Sequence, residues 1–124
     1  LISVPDLYPT MLGLLGLESE IPDAVDGTNY AALLATGEEK RPSSQPYLNI
    51  PAEAPSQGRR GVRTDRYTLV IDRVPNQEER VVLYDRKTDP YQLQNLAEEQ
   101  PEVVERLKRE ELEPWLKRME DPWE

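Results

Sequence analysis

Residues 61–71 read Gly-Val-Arg-Thr-Asp-Arg-Tyr-Thr-Leu-Val-Ile, and residues 81–97 read Val-Val-Leu-Tyr-Asp-Arg-Lys-Thr-Asp-Pro-Tyr-Gln-Leu-Gln-Asn-Leu-Ala. Tyr67, Leu69 and Ile71 recur at every second position, the period of a strand with one buried face. Thr64-Asp65-Arg66 precedes them as a turn, so Gly61–Arg63 and Tyr67–Asp72 form the arms of a hairpin. The polar stretch Val74–Glu79 holds Pro75-Asn76, a turn signal, and leads into a further strand at Arg80–Tyr84. Upstream, residues 37–60 are rich in Gly, Pro, Ser, Gln and charge and read as a connector with one short strand, Tyr47–Ile50. Together these segments predict a small antiparallel sheet of about four strands.

Downstream, residues 100–119 predict the final helix. Pro101 suits its first turn, and Glu98, Glu99 and Glu102 suit its positive end. Its apolar residues do not stay in phase. Val103, Val104 and Leu107 share one face, whereas Leu112, Trp115, Leu116 and Met119 share another, rotated by about one residue at roughly 3.6 residues per turn. Pro114 lies at this displacement, so a kink, bulge or short break is expected between Glu110 and Pro114.

The N-terminal stretch is helical. Ser3 caps, Asp6 is its capping-box partner three residues on, and Pro5 fits the first turn. Pro9 lacks the N–H that an interior position needs. This leaves a short turn followed by a helix beginning near Pro9, the preferred reading, or one helix kinked there. Met11, Leu12, Leu14, Leu15 and Leu17 cover most of the circumference, so the helix is expected to be buried on several sides, with Gly16 as its stop. A second short helix is expected over residues 29–35.

The 124 residues suit one domain, and 37% hydrophobic against 31% charged residues allow only a modest core. A net charge of −9 argues against nucleic-acid or anionic-membrane partners, and no apolar run is long enough to cross a bilayer. Residues 57–73 run against this balance, with Arg59, Arg60, Arg63, Arg66 and Arg73 facing only Asp65 and Asp72. The chain has no cysteine and no histidine, which removes thiolate chemistry, disulfides and the commonest general base. A first residue of Leu rather than Met, with no signal-peptide pattern, leads to the expectation of a fragment or a processed chain.

The motifs Arg63-Thr64-Asp65-Arg66-Tyr67, Leu83-Tyr84-Asp85, Asp89-Pro90 and Asn95-Leu96-Ala97, in this order, resemble the C-terminal end of a sulfatase, a branch of the alkaline-phosphatase-like hydrolases. The block Asp6-Leu7-Tyr8-Pro9-Thr10-Met11-Leu12-Gly13-Leu14-Leu15-Gly16-Leu17, with Ile21-Pro22 and Asp26-Gly27, resembles the last part of a sulfatase catalytic domain. The resemblance implies an α+β fold: the sheet carries the long C-terminal helix, preceded by two helices from the end of the catalytic domain. It divides the chain into residues 1–40 and 41–124. It also implies a parent enzyme that hydrolyses sulfate esters through formylglycine, matured from a cysteine, with calcium as Lewis acid. This chain lacks that cysteine, so no cofactor is expected on the chain itself, and the segment is expected to be catalytically silent alone. The implied partner is an N-terminal catalytic domain. Tails of related phosphodiesterases and phosphonate monoester hydrolases look similar, and a free-standing interaction domain is a further alternative.

Arg59 and Arg60 are the substrate-binding candidates. A guanidinium can hold a sulfate through two parallel hydrogen bonds, and both residues lie just before the hairpin. Against this, arginines of this kind commonly pair with acidic groups of their own chain or of another domain. Arg63 and Arg66 are expected to be structural. Asp85, Asp89 and Asp121 are conceivable ligands for a hard cation, but their spacing fits no calcium loop and they are read as turn formers. Asn95 is expected to tie its loop to backbone groups ahead of the final helix. Trp115, Trp123, Tyr84 and Tyr91 could form an aromatic carbohydrate platform or serve as core anchors; Trp115 is assigned to the core. The apolar face of the first helix is expected to be covered by a second copy of the chain, to be covered by the sheet, or to promote aggregation.

Overall fold

The computed structural model describes residues 2–37 and 42–123. The chain forms two units, Leu1–Pro42 and Ser43–Glu124. The boundary expected between residues 40 and 41 lies outside the described residues.

In the first unit α1 spans Val4–Leu14 and runs through Pro9. The preferred reading, a helix beginning near Pro9, is therefore replaced by a single helix. Its start is fixed ahead of the proline: Asp6 Oδ2 accepts hydrogen bonds from the Ser3 N–H and the Ser3 hydroxyl, both at 2.7 Å. Pro9 cannot donate to the Pro5 carbonyl one turn back. Gly27 packs against that carbonyl, where a Cβ would overlap it. Asp6 and Thr10, one turn apart, then hold the segment after Gly27. The Thr28 N–H donates to Asp6 Oδ1 at 2.8 Å, and the Tyr30 N–H donates to Thr10 Oγ1 at 2.9 Å. The helix stops where Gly16 takes φ +70° and the Leu17 N–H reaches the Leu12 carbonyl at 2.9 Å. The short α2 (Ala31–Thr36) follows Asn29, whose Oδ1 accepts from the Ala31 N–H at 2.8 Å, and ends at Gly37, φ +73°.

This arrangement turns α1 inside out. Its buried residues are Asp6, Pro9 and Thr10. Val4, Leu7, Met11, Leu14 and Leu15 are exposed, from 54% for Leu7 to 80% for Val4. The expected burial on several sides is not found, because the polar ties to residues 28–30 claim the inward face and leave the leucines facing out.

The second unit contains β1 (Ser44–Asn49), β2 (Gly58–Thr64), β3 (Tyr67–Arg73) and β4 (Arg80–Asp85). They form an antiparallel meander in the order β1-β2-β3-β4. The Asp65-Arg66 turn is held by Thr64 Oγ1, which accepts from the Tyr67 N–H at 2.8 Å. Asn76, at φ +58°, makes the bend in the stretch between β3 and β4. Val62, Tyr67, Leu69, Ile71 and Leu83 line one face of the sheet and pack with Val104, Leu107, Leu112 and Leu116. Each such side chain stabilises the fold by about 1.5–3 kcal/mol when fully buried.

The final helical segment comprises α3 (Pro101–Leu107), a π-helical turn at Lys108–Leu112, and α4 (Glu113–Arg118). The expected disturbance before Pro114 is this turn, which sits slightly earlier than the expected interval. Its cause is the phase of the apolar seam. From Leu107 to Leu112 the seam advances five residues, and the extra residue of a π turn returns Leu112 to the sheet-facing side. The fold is α+β, as the sequence pattern predicts.

β4 is an edge strand, with no strand on its outer side among the described residues, and Asn95 substitutes for one there. Its Oδ1 accepts from the Leu83 N–H at 2.9 Å and the Ala97 N–H at 3.1 Å, and its Nδ2 donates to the Val81 carbonyl at 3.1 Å. The Leu96 N–H adds a bond to the Leu83 carbonyl at 2.8 Å. Replacing Asn95 with Ala should cost about 0.5–1.5 kcal/mol, because it removes the side-chain partners of part-buried and exposed edge-strand groups. Urea unfolding of the two chains measures this, and an unchanged midpoint would refute the edge-capping role.

Candidate functional site

Arg59 and Arg60 are consecutive residues of β2, so the pleat sends them to opposite faces of the sheet. Arg60 goes inward and has 0% exposure. Its Nε donates to Asp121 Oδ2 at 2.8 Å, Nη1 to the Gln57 carbonyl at 2.8 Å, and Nη2 to the Pro55 carbonyl at 2.6 Å. Its Cζ lies 4.6 Å from the centroid of the Trp123 ring. The other Asp121 oxygen accepts from the Trp123 N–H at 3.0 Å, and Trp123 Nε1 donates to the Ser56 carbonyl at 2.9 Å. Three successive carbonyls of the β1–β2 loop, Pro55 to Gln57, are thereby held from inside by Arg60 and Trp123. Arg60 thus has no exposed surface and is held by groups of its own chain.

Arg59 faces the other way. Its Nε lies 2.8 Å from Asp72 Oδ2, its cross-strand partner, and its side chain is half exposed. The hydrogen bond that Arg59 donates to Asp72 raises the Arg59 pKa above its usual value. Arg63 is also exposed, and the alternation of β2 places it on the Arg59 face.

Arg66 closes the hairpin onto the end of β4. Its Nε and Nη2 reach the same oxygen of Asp85, at 3.0 and 2.8 Å. These bonds hold the buried Asp85 carboxyl below the ordinary carboxylate range, with help from the Lys87 and Thr88 N–H groups and against the opposing push of burial. The remaining turn acids are similarly engaged. Asp89 Oδ2 accepts from the Leu93 and Gln94 N–H groups at 2.6 and 2.9 Å, and Asp121 is taken by Arg60 and Trp123.

This bears on the groups that the resemblance implies. Formylglycine is matured from the cysteine or serine that opens a Cys/Ser-x-Pro-Ser-Arg stretch, and the sequence has no such stretch. Among the described residues no cluster of three or more Asp, Glu, His or Cys side chains could hold a cation. The described residues therefore fit neither formylglycine nor calcium. No helix among the described residues is long and apolar enough to cross a membrane.

The aromatic candidates do not gather into one platform. Trp115 packs against the core, and its Nε1 donates to Ser44 Oγ at 3.1 Å. Trp123 is held at the β1–β2 loop, Tyr84 lies half-buried on the outer sheet face, and Tyr91 is exposed. Sequence reasoning missed Tyr47 and Arg80, which line a shallow depression of about 350 Å³ on that outer face with Arg59 and Tyr84. The available signal was phase: each stands on the opposite side of its strand from the core residues.

Residues 1–118 match the family described as N-sulphoglucosamine sulphohydrolase, C-terminal. The chain is 42% identical to an endo-4-O-sulfatase of Bacteroides thetaiotaomicron, over 99% of this chain and 27% of that protein. Among solved structures it resembles a Bacteroides fragilis protein, yidJ, assigned as a sulfatase, with a TM-score of 0.84 and 35% identity over 94% of this chain and 25% of that one. A Bacteroides thetaiotaomicron structure, described in connection with the metabolism of multiple glycosaminoglycans, gives 0.79 and 37% over 99% and 28%. The chain therefore spans about a quarter of the length of these relatives.

The Arg66–Asp85 pair makes stability depend on pH with a definite sign. The folded carboxyl titrates below its unfolded value near 3.8, so its contribution is complete above that value and is lost as pH falls through the folded pKa. Urea midpoints should fall below about pH 4. Asp85→Asn should lower the midpoint at pH 7 and flatten part of this acid limb. An acid limb identical in both chains would contradict the assignment.

Proposed function

Because this chain belongs to the N-sulphoglucosamine sulphohydrolase C-terminal family, we propose that it serves as the C-terminal segment of a sulfatase acting on sulfate esters of carbohydrate. Within that enzyme its role is scaffold and pocket wall. The chemistry belongs to the part of the catalytic domain outside this sequence, since nucleophilic catalysis needs an activated nucleophile beside a base and this chain has no cysteine, no histidine and no recognisable nucleophile–base pair. The formylglycine and calcium that the family's reaction uses belong to the same outside part.

The observation that carries the reading is the inverted α1. A helix that buries Asp6, Pro9 and Thr10 while presenting Val4, Leu7, Met11, Leu14 and Leu15 to solvent is made to be covered from outside. The proposed cover is the catalytic domain, which places residues 1–40 with that domain and residues 41–124 in a C-terminal subdomain. In its absence the same face would bring two copies of this chain together. The names of the relatives favour sulfate over phosphate esters. Of the two candidate arginines, we assign contact with the anionic substrate to Arg59, whose side chain is half exposed, and support of the wall to Arg60.

Reading the gene on the 5′ side of the Leu1 codon tests the proposal. An open frame of several hundred codons containing Cys-x-Pro-Ser-Arg or Ser-x-Pro-Ser-Arg is expected. A start codon at this boundary, with no such frame before it, would overturn it.

A further inference from the structure

The sheet face turned away from the final helix is not used by the hydrophobic core. The strand register sets its residues in three cross-strand rows: Asn49, Arg59, Asp72 and Arg80; Tyr47, Gly61, Val70 and Val82; Gln45, Arg63, Thr68 and Tyr84. Three arginines stand on this face against one acid, Asp72, in a chain of net charge −9. Arg59 is bonded to Asp72. Arg63 and Arg80 are exposed and have no acidic partner among the described residues. The middle of the face is low: Gly61 has no side chain, and a Cβ there would overlap the Leu69 carbonyl. Tyr47 and Tyr84 stand at opposite edges of the resulting depression.

We propose that this face binds a sulfated polysaccharide chain along its surface. The inference rests on the sulfatase reading and adds a named face that holds the polymer. Guanidinium groups take sulfate through paired, charge-assisted hydrogen bonds, and tyrosine rings offer flat amphipathic surfaces to sugar rings. The spacing suits a polymer with intermittent charge. Arg59 and Arg63 are four residues apart on one strand, about 13 Å, and Arg59 and Arg80 are two strands apart, about 10 Å. A duplex nucleic acid, with one charge per roughly 1.7 Å of axis, would extend its charge beyond the face toward the acidic remainder of the chain. At physiological salt, fields are screened over about 8 Å, so a sparsely charged chain lying on the face responds mainly to the arginines beneath it. A protein partner would have to supply carboxylates for Arg63 and Arg80 once water was removed.

The test uses the full 124-residue chain and a fluorescently labelled chondroitin 4-sulfate oligosaccharide, with binding followed by polarisation at two salt concentrations. Binding is expected at low salt, weakened by added salt and absent for the desulfated oligosaccharide. The double variant Arg63→Ser/Arg80→Ser should bind at least tenfold more weakly, with its circular-dichroism melting unchanged because neither side chain is buried or ion-paired. Should that variant melt early, Tyr47→Ala at the edge of the depression provides the second reading and is expected to weaken binding several-fold. Equal affinity for the desulfated oligosaccharide, unchanged affinity in a folded arginine variant, or no binding to the parent chain would each overturn the proposal. A DNA duplex bound as tightly as the sulfated oligosaccharide would also overturn it. These outcomes do not depend on the reading frame upstream of Leu1, so the sulfatase reading and this inference can fail separately.

Discussion

The buried pair of Arg60 and Asp121 is the interaction on which the second unit is organised. It joins β2 to the turn that follows α4, across sixty-one residues of sequence. An arginine with no exposed surface is costly unless its nitrogens find partners, and here each of the three donates once, to a carboxylate or to one of two backbone carbonyls. The carbonyls belong to the loop before β2, so the same guanidinium fixes that loop. Asp121 in turn bonds the Trp123 backbone, and the indole reaches the loop between the two carbonyls that Arg60 holds. Loop, strand and C-terminal turn form one clasp around one charge.

This clasp explains the division of labour between neighbouring arginines. Because strand residues alternate between faces, Arg59 and Arg60 cannot both look outward. The buried one sets the shape of the loop, and the displayed one pairs with Asp72 on the outer face. The first unit shows a related division on a helix. Asp6 and Thr10 look inward to satisfy the backbone of residues 28–30, and this commits Leu7, Met11 and Leu14 to the outside. A membership in the sulfatase family makes sense of that choice, since an apolar exterior suits a segment with a neighbour.

Much of this was legible in the sequence where local rules operate. The alternation of Tyr67, Leu69 and Ile71 located β3 and its core face, and the slipped seam between Leu107 and Leu112 foretold the disturbed helix. Asn95 was legible as a loop tie because its side chain has few other uses beside a strand. What escaped were long-range and competitive effects. Local steric rules argued against a helix through Pro9, yet α1 runs through it, with Gly27 packed against the Pro5 carbonyl that Pro9 leaves unbonded within the helix. The pairing of Arg60 with Asp121 leaves no trace in local spacing, so Arg59 and Arg60 looked alike as candidates. Leucine content around α1 signalled burial but not by what, since the inward face went to hydrogen bonds.

A double-mutant cycle on Arg60 and Asp121 tests the clasp most directly, with unfolding free energies measured for Arg60→Met, Asp121→Leu and the pair together. Removing either partner leaves a buried charge uncompensated, which costs about 3–5 kcal/mol. The account predicts that the double substitution recovers about 2 kcal/mol or more relative to the sum of the single losses. Losses that simply add would show that the two groups act independently, and the clasp would not be what holds this unit together.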